Sequence, residues 1–367
     1  VLLDFFPSRV LTIYLAKMFV TRIVAVLAML VLVLMMLDLL GKTGDILAVP
    51  GNGQGELLAY ASLRVPQLVS RFLPYSVLLA TIITLAGLNQ NSEVIAMKAA
   101  GLSAHQILAP LLLVGVLVAG LSFAFNERVV TRANATLKAW EAVDYAAIPA
   151  DPATRSNVYF NDGNDILMAA TAAGRGADTV LTDVSFYERD DNGMIVRQVD
   201  AAHATYAGAD RGWALTDASV FDVGTAQTRN EAQLTVAPGL TLDQVELRRV
   251  DADAETLPEL SRSIAALQSA DRRTSELEAK WWHKLSGPLS AVLMPLLGAV
   301  AGFGLARSGN LFIRAVIGMA LGFAYFVVDN AALAMGSFGG YPPLIAAWAP
   351  FFLFLFVGET VLVRTEE

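Results

Sequence analysis

The sequence predicts an α-helical membrane protein with six transmembrane helices and an all-β domain inserted between the third and the fourth. Three observations carry this expectation. The first is composition: 55% of the 367 residues are apolar and 16% charged, with a mean hydropathy of +0.53, whereas soluble chains run nearer a quarter charged. The second is a set of apolar runs near the roughly 20 residues a helix needs to cross a bilayer. The third is a division of charge. Residues 126–255 hold 11 Lys and Arg against 21 Asp and Glu, a net of −10, and the remainder carries +2 of the overall −8. The acidity therefore belongs to one soluble insert.

The same numbers exclude several classes. A pI near 5.0 argues against a general nucleic-acid binder. With no Cys, disulfide frameworks, thiolate zinc sites and Cys nucleophiles are all ruled out.

The spans are taken in order. Residues 23–37 form an apolar run that Met18, Phe19 and Val20 extend, with Arg22 and Asp38 able to snorkel at its ends. This segment is too long for the h-region of a signal peptide and no small-residue cleavage site follows, so it is expected to stay in the mature chain. Residues 72–92, 106–126 and 285–306 contain no formal charge. After Arg314 the chain stays hydrophobic to Val363 except at residues 336–343, whose Gly and Pro mark a tight loop between two more spans. Counting basic residues beside the spans does not orient the chain: seven lie on the N-terminal side and eight on the other. A translocated acidic domain favours an N-terminus inside.

The insert follows different rules. Residues 183–189 and 194–199 are Val-, Ile-, Phe- and Tyr-containing runs separated by Asp190-Asp191-Asn192-Gly193, a hairpin signal. Further short strands are expected at 157–160, 165–169, 202–206, 213–216, 232–236 and 242–250, which together suggest an antiparallel sandwich, jelly roll or curved sheet. Over 257–282 the pattern turns helical. Leu260, Ile264 and Leu267 share a face, and Trp281-Trp282 suits an interfacial belt leading into the fourth span.

Motifs for chemistry are missing. No G-x-x-x-x-G-K-[ST] phosphate loop occurs. The three His, at 105, 203 and 283, are scattered and form neither a metal set nor a triad with anything at useful spacing. No catalytic residue is assigned. The informative stretch is the link between spans two and three, residues 89–103. Ser92 can cap a short helix, Glu93 suits its first turn, and Gly101 can end it. Val94, Met97 and Lys98 share a face. On physics alone, an interfacial helix anchoring the loop is the simpler reading.

Resemblance adds to that. The link contains Glu93-x-x-x-Met97-x-Ala99-x-Gly101, the fourth span is entered by Trp282-His283-Lys284-Leu285-Ser286-Gly287-Pro288-Leu289-Ser290, the fifth holds Val327-Val328-Asp329-Asn330, and Gly340-Tyr341-Pro342-Pro343 precedes the sixth. In this order and spacing the chain resembles, over nearly its whole length, the LptF/LptG permeases of the bacterial lipopolysaccharide export ABC transporter, and it is closer to the LptG branch. The resemblance implies a multi-pass protein of the inner membrane with cytoplasmic termini. It also implies that the insert is a periplasmic β-jellyroll-like domain continuing into an LptC-like protein. The link would be a coupling helix docked on an LptB-like ATPase, with Glu93 as the charged contact and Met97 and Lys98 in support. An LptF-like permease would complete a heterodimer, and ATP would be bound by the partner, leaving this chain with no cofactor, no metal and no enzymatic site of its own. The domain division is then 1–125 for spans one to three with the coupling helix at about 91–103, 126–256 for the β domain, 257–283 for a connecting helix and 284–367 for spans four to six.

Charged residues near the outer membrane face are the candidates for lipid contact. Asp38 and Lys42 are spaced for an i, i+4 pair. Resemblance implies that Lys42 faces lipid A phosphates at a cavity entrance, with Gly41 standing where a second Lys can occur. Arg71 can bind phosphate bidentately or serve as a snorkelling anchor. Asp329 lies in the outer half of the fifth span, where a carboxylate faces a bundle interior or a wet cavity, and no partner for it is evident. The expected function is extraction of lipopolysaccharide or a similar glycolipid from the inner membrane toward a periplasmic bridge. The alternative is a non-transporting membrane scaffold whose β domain binds periplasmic partners.

Overall fold

The computed structural model describes residues 6–146, 148, 155–174, 178–190, 192–208, 211–240, 250–269, 272–303 and 311–366. The helices are α1 (Arg9–Leu47), α2 (Gln54–Gln90), α3 (Glu93–Ala99), α4 (Ala104–Phe125), α5 (Thr131–Ala142), α6 (Leu257–Ser269), α7 (Ser275–Phe303), α8 (Leu311–Ser337) and α9 (Pro343–Glu366). The strands are β1 (Arg155–Asp162), β2 (Asp165–Ala173), β3 (Val180–Arg189), β4 (Ile195–Gly208), β5 (Gly212–Asp222) and β6 (Gln227–Val236).

Among the described residues, five helical stretches are long and apolar enough to cross a membrane: α1, α2, the continuous Ala104–Ala142, Val316–Ser337 of α8 and Pro343–Arg364 of α9. The remaining span read from the sequence, residues 285–306, runs past Phe303, where the described part of α7 ends, and is not among the five. The chain divides into two compact units. One comprises Val1–Leu40, Arg64–Thr131 and Thr256–Glu367, and the other Gly41–Leu63 and Arg132–Glu255. The second unit thus includes the segment between the first two spans.

The helix ends follow local chemistry. Ser103 caps α4 in a full capping box with Gln106. Thr256 starts α6, its amide and hydroxyl both donating to Glu259 Oε2 at 3.0 and 2.8 Å. The helix expected over 257–282 is in fact two. Thr274 begins α7, with its carbonyl accepting Glu278 N–H and its hydroxyl bonded to Glu278, and Glu276 and Glu278 occupy the dipole-favoured first turn. Trp281 and Trp282 therefore belong to α7. α4 passes into α5 through one π-helical turn, Asn126–Val130.

Small residues let the membrane helices approach. A Cβ on Gly115 of α4 would lie 2.8 Å from the Ala291 carbonyl of α7, a contact of the kind that substitutes for the missing hydrophobic drive inside a bilayer. The core of this unit gathers Leu15 and Phe19 of α1, Val77 and Leu85 of α2, Ile107 and Leu111 of α4, Met294 and Leu297 of α7, Tyr325 of α8 and Phe354 of α9. In α1, Leu15, Phe19 and Ile23 are buried at four-residue spacing, but no α1 side chain is buried again until Ile46.

In the second unit the strands form one six-stranded antiparallel sheet in sequence order. The expected hairpin is present between β3 and β4. Asp190 Oδ1 accepts the amides of Asn192 and Met194, both at 2.9 Å, and Gly193 takes φ +80°. Runs read as separate strands at 194–199 and 202–206 are one strand, β4. Residues 241–249, read as part of a further strand, lie outside the described residues.

A crease explains the fragmentation. Buried positions alternate at Leu167 and Ala169, at Val184 and Phe186, at Val199 and Ala201, and at Ala218 and Val220. Farther along each strand the buried residues are Ala172, Leu181, Ala204 and Leu215, all displaced by one position. The slip falls on a single row, Ala170, Asp183, Ala202, Asp217 and Ala232, because the pairing register is the same on both sides of it. Asp183 and Asp217 have φ of +49° and +53°, the left-handed region that Asp enters more readily than most residues. Their bend folds the sheet across its strands and keeps the apolar face inward on both halves. At one end Gly239 N–H donates to Asp162 Oδ2 at 3.0 Å, which brings the chain after β6 to the end of β1 and curls the sheet.

Candidate functional site

The helix α3 is built as a short platform on unit one. Val94 and Met97 are buried in the core, Met97 being 8% exposed, while Ile95 is 67% exposed and Lys98 is exposed. Met97 thus anchors the helix, and the outward face is Ile95, Ala96 and Lys98. The helix closes in a complete Schellman motif: Leu102 N–H reaches the Met97 carbonyl and Gly101 N–H the Lys98 carbonyl, at 3.1 and 3.0 Å, with Gly101 at φ +87°. Its start is strained. Ser92 occupies the N-cap position in a left-handed conformation, φ +57°, and makes no side-chain cap, an arrangement costing about 1–2 kcal/mol for a residue with a Cβ. Glu93 is partly buried; Asn91 Nδ2 lies 3.4 Å from its Oε1, and the Tyr14 hydroxyl of α1 donates to Oε2 at 3.1 Å.

The charged residues expected to contact lipid separate. Asp38 accepts from Arg64 of α2, Oδ1 from Nη2 at 3.0 Å and Oδ2 from Nε at 3.2 Å, with Gln67 also bonded to Arg64. Lys42 does not make the i, i+4 pair its spacing suggests. Its ammonium is 3.4 Å from Asp45 and lies 5.8 Å from the ring centre of Tyr145. A planar guanidinium matches a carboxylate in two bonds, which a flexible ammonium cannot do. Tyr145 belongs to an aromatic cluster of the second unit with Tyr60 and Trp140, and burial pushes its phenol above the usual value. The Lys42 cation therefore rests on a neutral ring, in a partnered but solvent-accessible position.

Arg71 is exposed on α2, one turn before Tyr75, whose ring stacks on Phe326 of α8 at 3.9 Å. Close by in the chain, Asp329 is 8% exposed and bonded to His283 Nε2 of α7 at 3.0 Å. This pair supplies the partner that sequence reasoning did not find for Asp329. Glu127 is a further missed residue. Its Oε2 accepts Leu257 N–H at 2.8 Å and its Oε1 is 3.6 Å from Lys284, so it joins the π turn to α6 and α7. The only signal in the sequence was a carboxylate directly after a long apolar run. His105 of α4 meets Glu359 of α9 at 3.3 Å. Among the described residues no three His, Asp or Glu are grouped to hold a metal.

Between α1 and α2 lies a cavity of about 510 Å³ lined by apolar side chains, among them Val24, Val31 and Met35 of α1 and Val65 and Val69 of α2. It occupies the stretch where α1 is not packed into the core.

Long apolar helices held by close approaches at small residues, paired polar groups near their ends, an apolar groove and an inserted sheet define a multi-pass membrane protein. The chain belongs to the LptF/LptG family: the family model described as lipopolysaccharide export system permease LptF/LptG matches residues 13–364. It is 26% identical over 365 residues to the lipopolysaccharide export system permease protein LptG of Escherichia coli strain K12, covering 98% of this chain and 99% of that one. With the protein of the same name from Haemophilus influenzae it shares 23% identity over 321 residues, 85% of this chain and 87% of the relative.

Proposed function

We propose that this chain is a permease subunit that extracts lipopolysaccharide or a similar glycolipid from the inner membrane and passes it along its β domain toward the outer membrane. The termini and α3 lie in the cytoplasm and the sheet in the periplasm. An LptF-like permease forms the other half of the membrane body, and an LptB-like ATPase binds the ATP and docks on α3, meeting Ile95 and Lys98 and the half-buried Glu93. The observation that carries this reading is the build of α3. A strained left-handed entry, two buried anchors and a Schellman exit hold Ile95 and Lys98 outward, with the Glu93 carboxylate half-buried beside them, on a seven-residue helix, more organisation than a connecting loop requires. The curled sheet supports the second half of the reading. β1 and β6 are its edges among the described strands, and an edge offers unpaired backbone groups to the next, LptC-like, domain. Lys42 and Arg71 are the proposed contacts for anionic headgroups.

The experiment is affinity purification in mild detergent, with mass spectrometry of bound proteins and lipid, followed by reconstitution of Glu93→Lys. Recovery of a nucleotide-hydrolysing subunit, lipid-stimulated ATP hydrolysis, and loss of export in the variant at normal protein level are expected. Normal export by Glu93→Lys refutes the coupling role, and failure to recover any ATPase favours a scaffold.

A further inference from the structure

The carboxylate proposed to meet the ATPase is already held from within the chain. Tyr14 Oη donates to Glu93 Oε2 at 3.1 Å and lies 3.4 Å from Oε1, across 79 residues of sequence. An ionised carboxylate accepts about four hydrogen bonds, so Tyr14 occupies one side of it and leaves acceptor capacity for a docking protein. Both ends of this bond are anchored. Tyr14 precedes Leu15, Phe19 and Ile23, the buried residues of the α1 end that packs into the core, and there Arg22 Nη1 also donates to the Ile83 carbonyl of α2 at 3.0 Å. Glu93 precedes Val94 and Met97, which seat α3 in the same core. Beyond Ile23, α1 has no buried side chain until Ile46, and that loosely held stretch lines the apolar cavity.

We infer that Tyr14 is a positioning residue for coupling: its hydroxyl sets the Glu93 side chain for the ATPase and ties the first span to α3, so that movement of α3 reaches the wall of the cavity. The inference rests on the reading of Glu93 given above. The bond need not break on docking, because the phenol uses a lone pair that the partner does not need. A fixed Glu93 rotamer also spares the ordering cost that a free side chain would carry into the interface.

The test uses the assembled transporter in lipid vesicles containing lipopolysaccharide, and reads lipid released per ATP hydrolysed. Tyr14→Phe keeps the ring and removes the hydroxyl. It is expected to lower that ratio about three- to tenfold, the range of one net hydrogen bond. Glu93→Ala, which removes the acceptor, lowers it as well, and adding Tyr14→Phe to Glu93→Ala is expected to change nothing further. The chain has no Cys, so spin labels at Val10→Cys and Ala100→Cys, both exposed positions outside the proposed docking face, report the distance between α1 and the end of α3 directly. Tyr14→Phe is expected to broaden it. An unchanged ratio, losses that multiply in the double variant, or an unchanged distance distribution overturns the Tyr14 inference alone. If Glu93→Lys itself exports normally, the coupling reading fails first and the Tyr14 inference with it.

Discussion

His283→Ala tests the interior of the membrane unit. Asp329 is 8% exposed and is bonded to His283 Nε2 at 3.0 Å. Truncating the imidazole leaves a carboxylate in a helical bundle with the stacked Tyr75 and Phe326 and the buried Tyr325 close in sequence or space. Leaving one member of a buried hydrogen-bonded pair without its partner costs roughly 1–3 kcal/mol. The His283 side chain is 31% exposed, so water reaches part of the vacated position and the expected cost is about 1–2 kcal/mol. Asp329→Asn keeps a hydrogen bond and is expected to cost about 1 kcal/mol. The double variant His283→Leu, Asp329→Leu removes both polar groups and is expected to be milder than His283→Ala alone, since apolar replacement of a buried pair is often close to neutral. The assay is equilibrium unfolding by SDS titration in mixed micelles, followed by Trp fluorescence, with Trp281 and Trp282 beside the pair. If the double variant loses as much as the sum of the singles, or His283→Ala is as stable as the parent, the pair is not what holds Asp329 in place.

Two further predictions concern the β domain and the outer face. Asp217→Val places a β-branched residue at φ +53° on the crease and is expected to destabilise the sheet by about 1–2 kcal/mol, with Asp217→Gly near neutral; amide exchange in β4 and β5 measures both, and a neutral Asp217→Val refutes the bend as the reason for Asp. Lys42→Ala is expected to reduce co-purified bisphosphorylated lipid by a few fold, one screened contact being worth about 0.5–1 kcal/mol, and unchanged lipid by mass spectrometry excludes Lys42 as a headgroup contact.

Much of the architecture was legible because it depends on local pattern. Uncharged runs identified the second and third spans, and the residues up to Gly193 turn the hairpin. The strands were read short for an identifiable reason. Alternation slips at Asp183, Ala202 and Asp217, and a period-two reading stops where the slip occurs, although the backbone pairing continues. α1 was read shorter than its 39 residues because Gly41, Lys42, Gly44 and Asp45 are poor membrane residues; Ile46, buried in the second unit, extends the helix past them.

The sequence by itself determined the class: a charge-poor chain with an acidic β insert, a link carrying Glu93, and paired candidates at the membrane edge. Tertiary structure decided which of those residues meet. Tyr14 and Glu93 are 79 residues apart, Asp38 and Arg64 are 26, and His283 and Asp329 are 46. None of these pairings follows from spacing, because a helix or strand repeat relates only residues within a few positions. Longer-range partners are chosen by how the helices pack, and the close approaches at Gly and Ala that set this packing act between elements rather than along them.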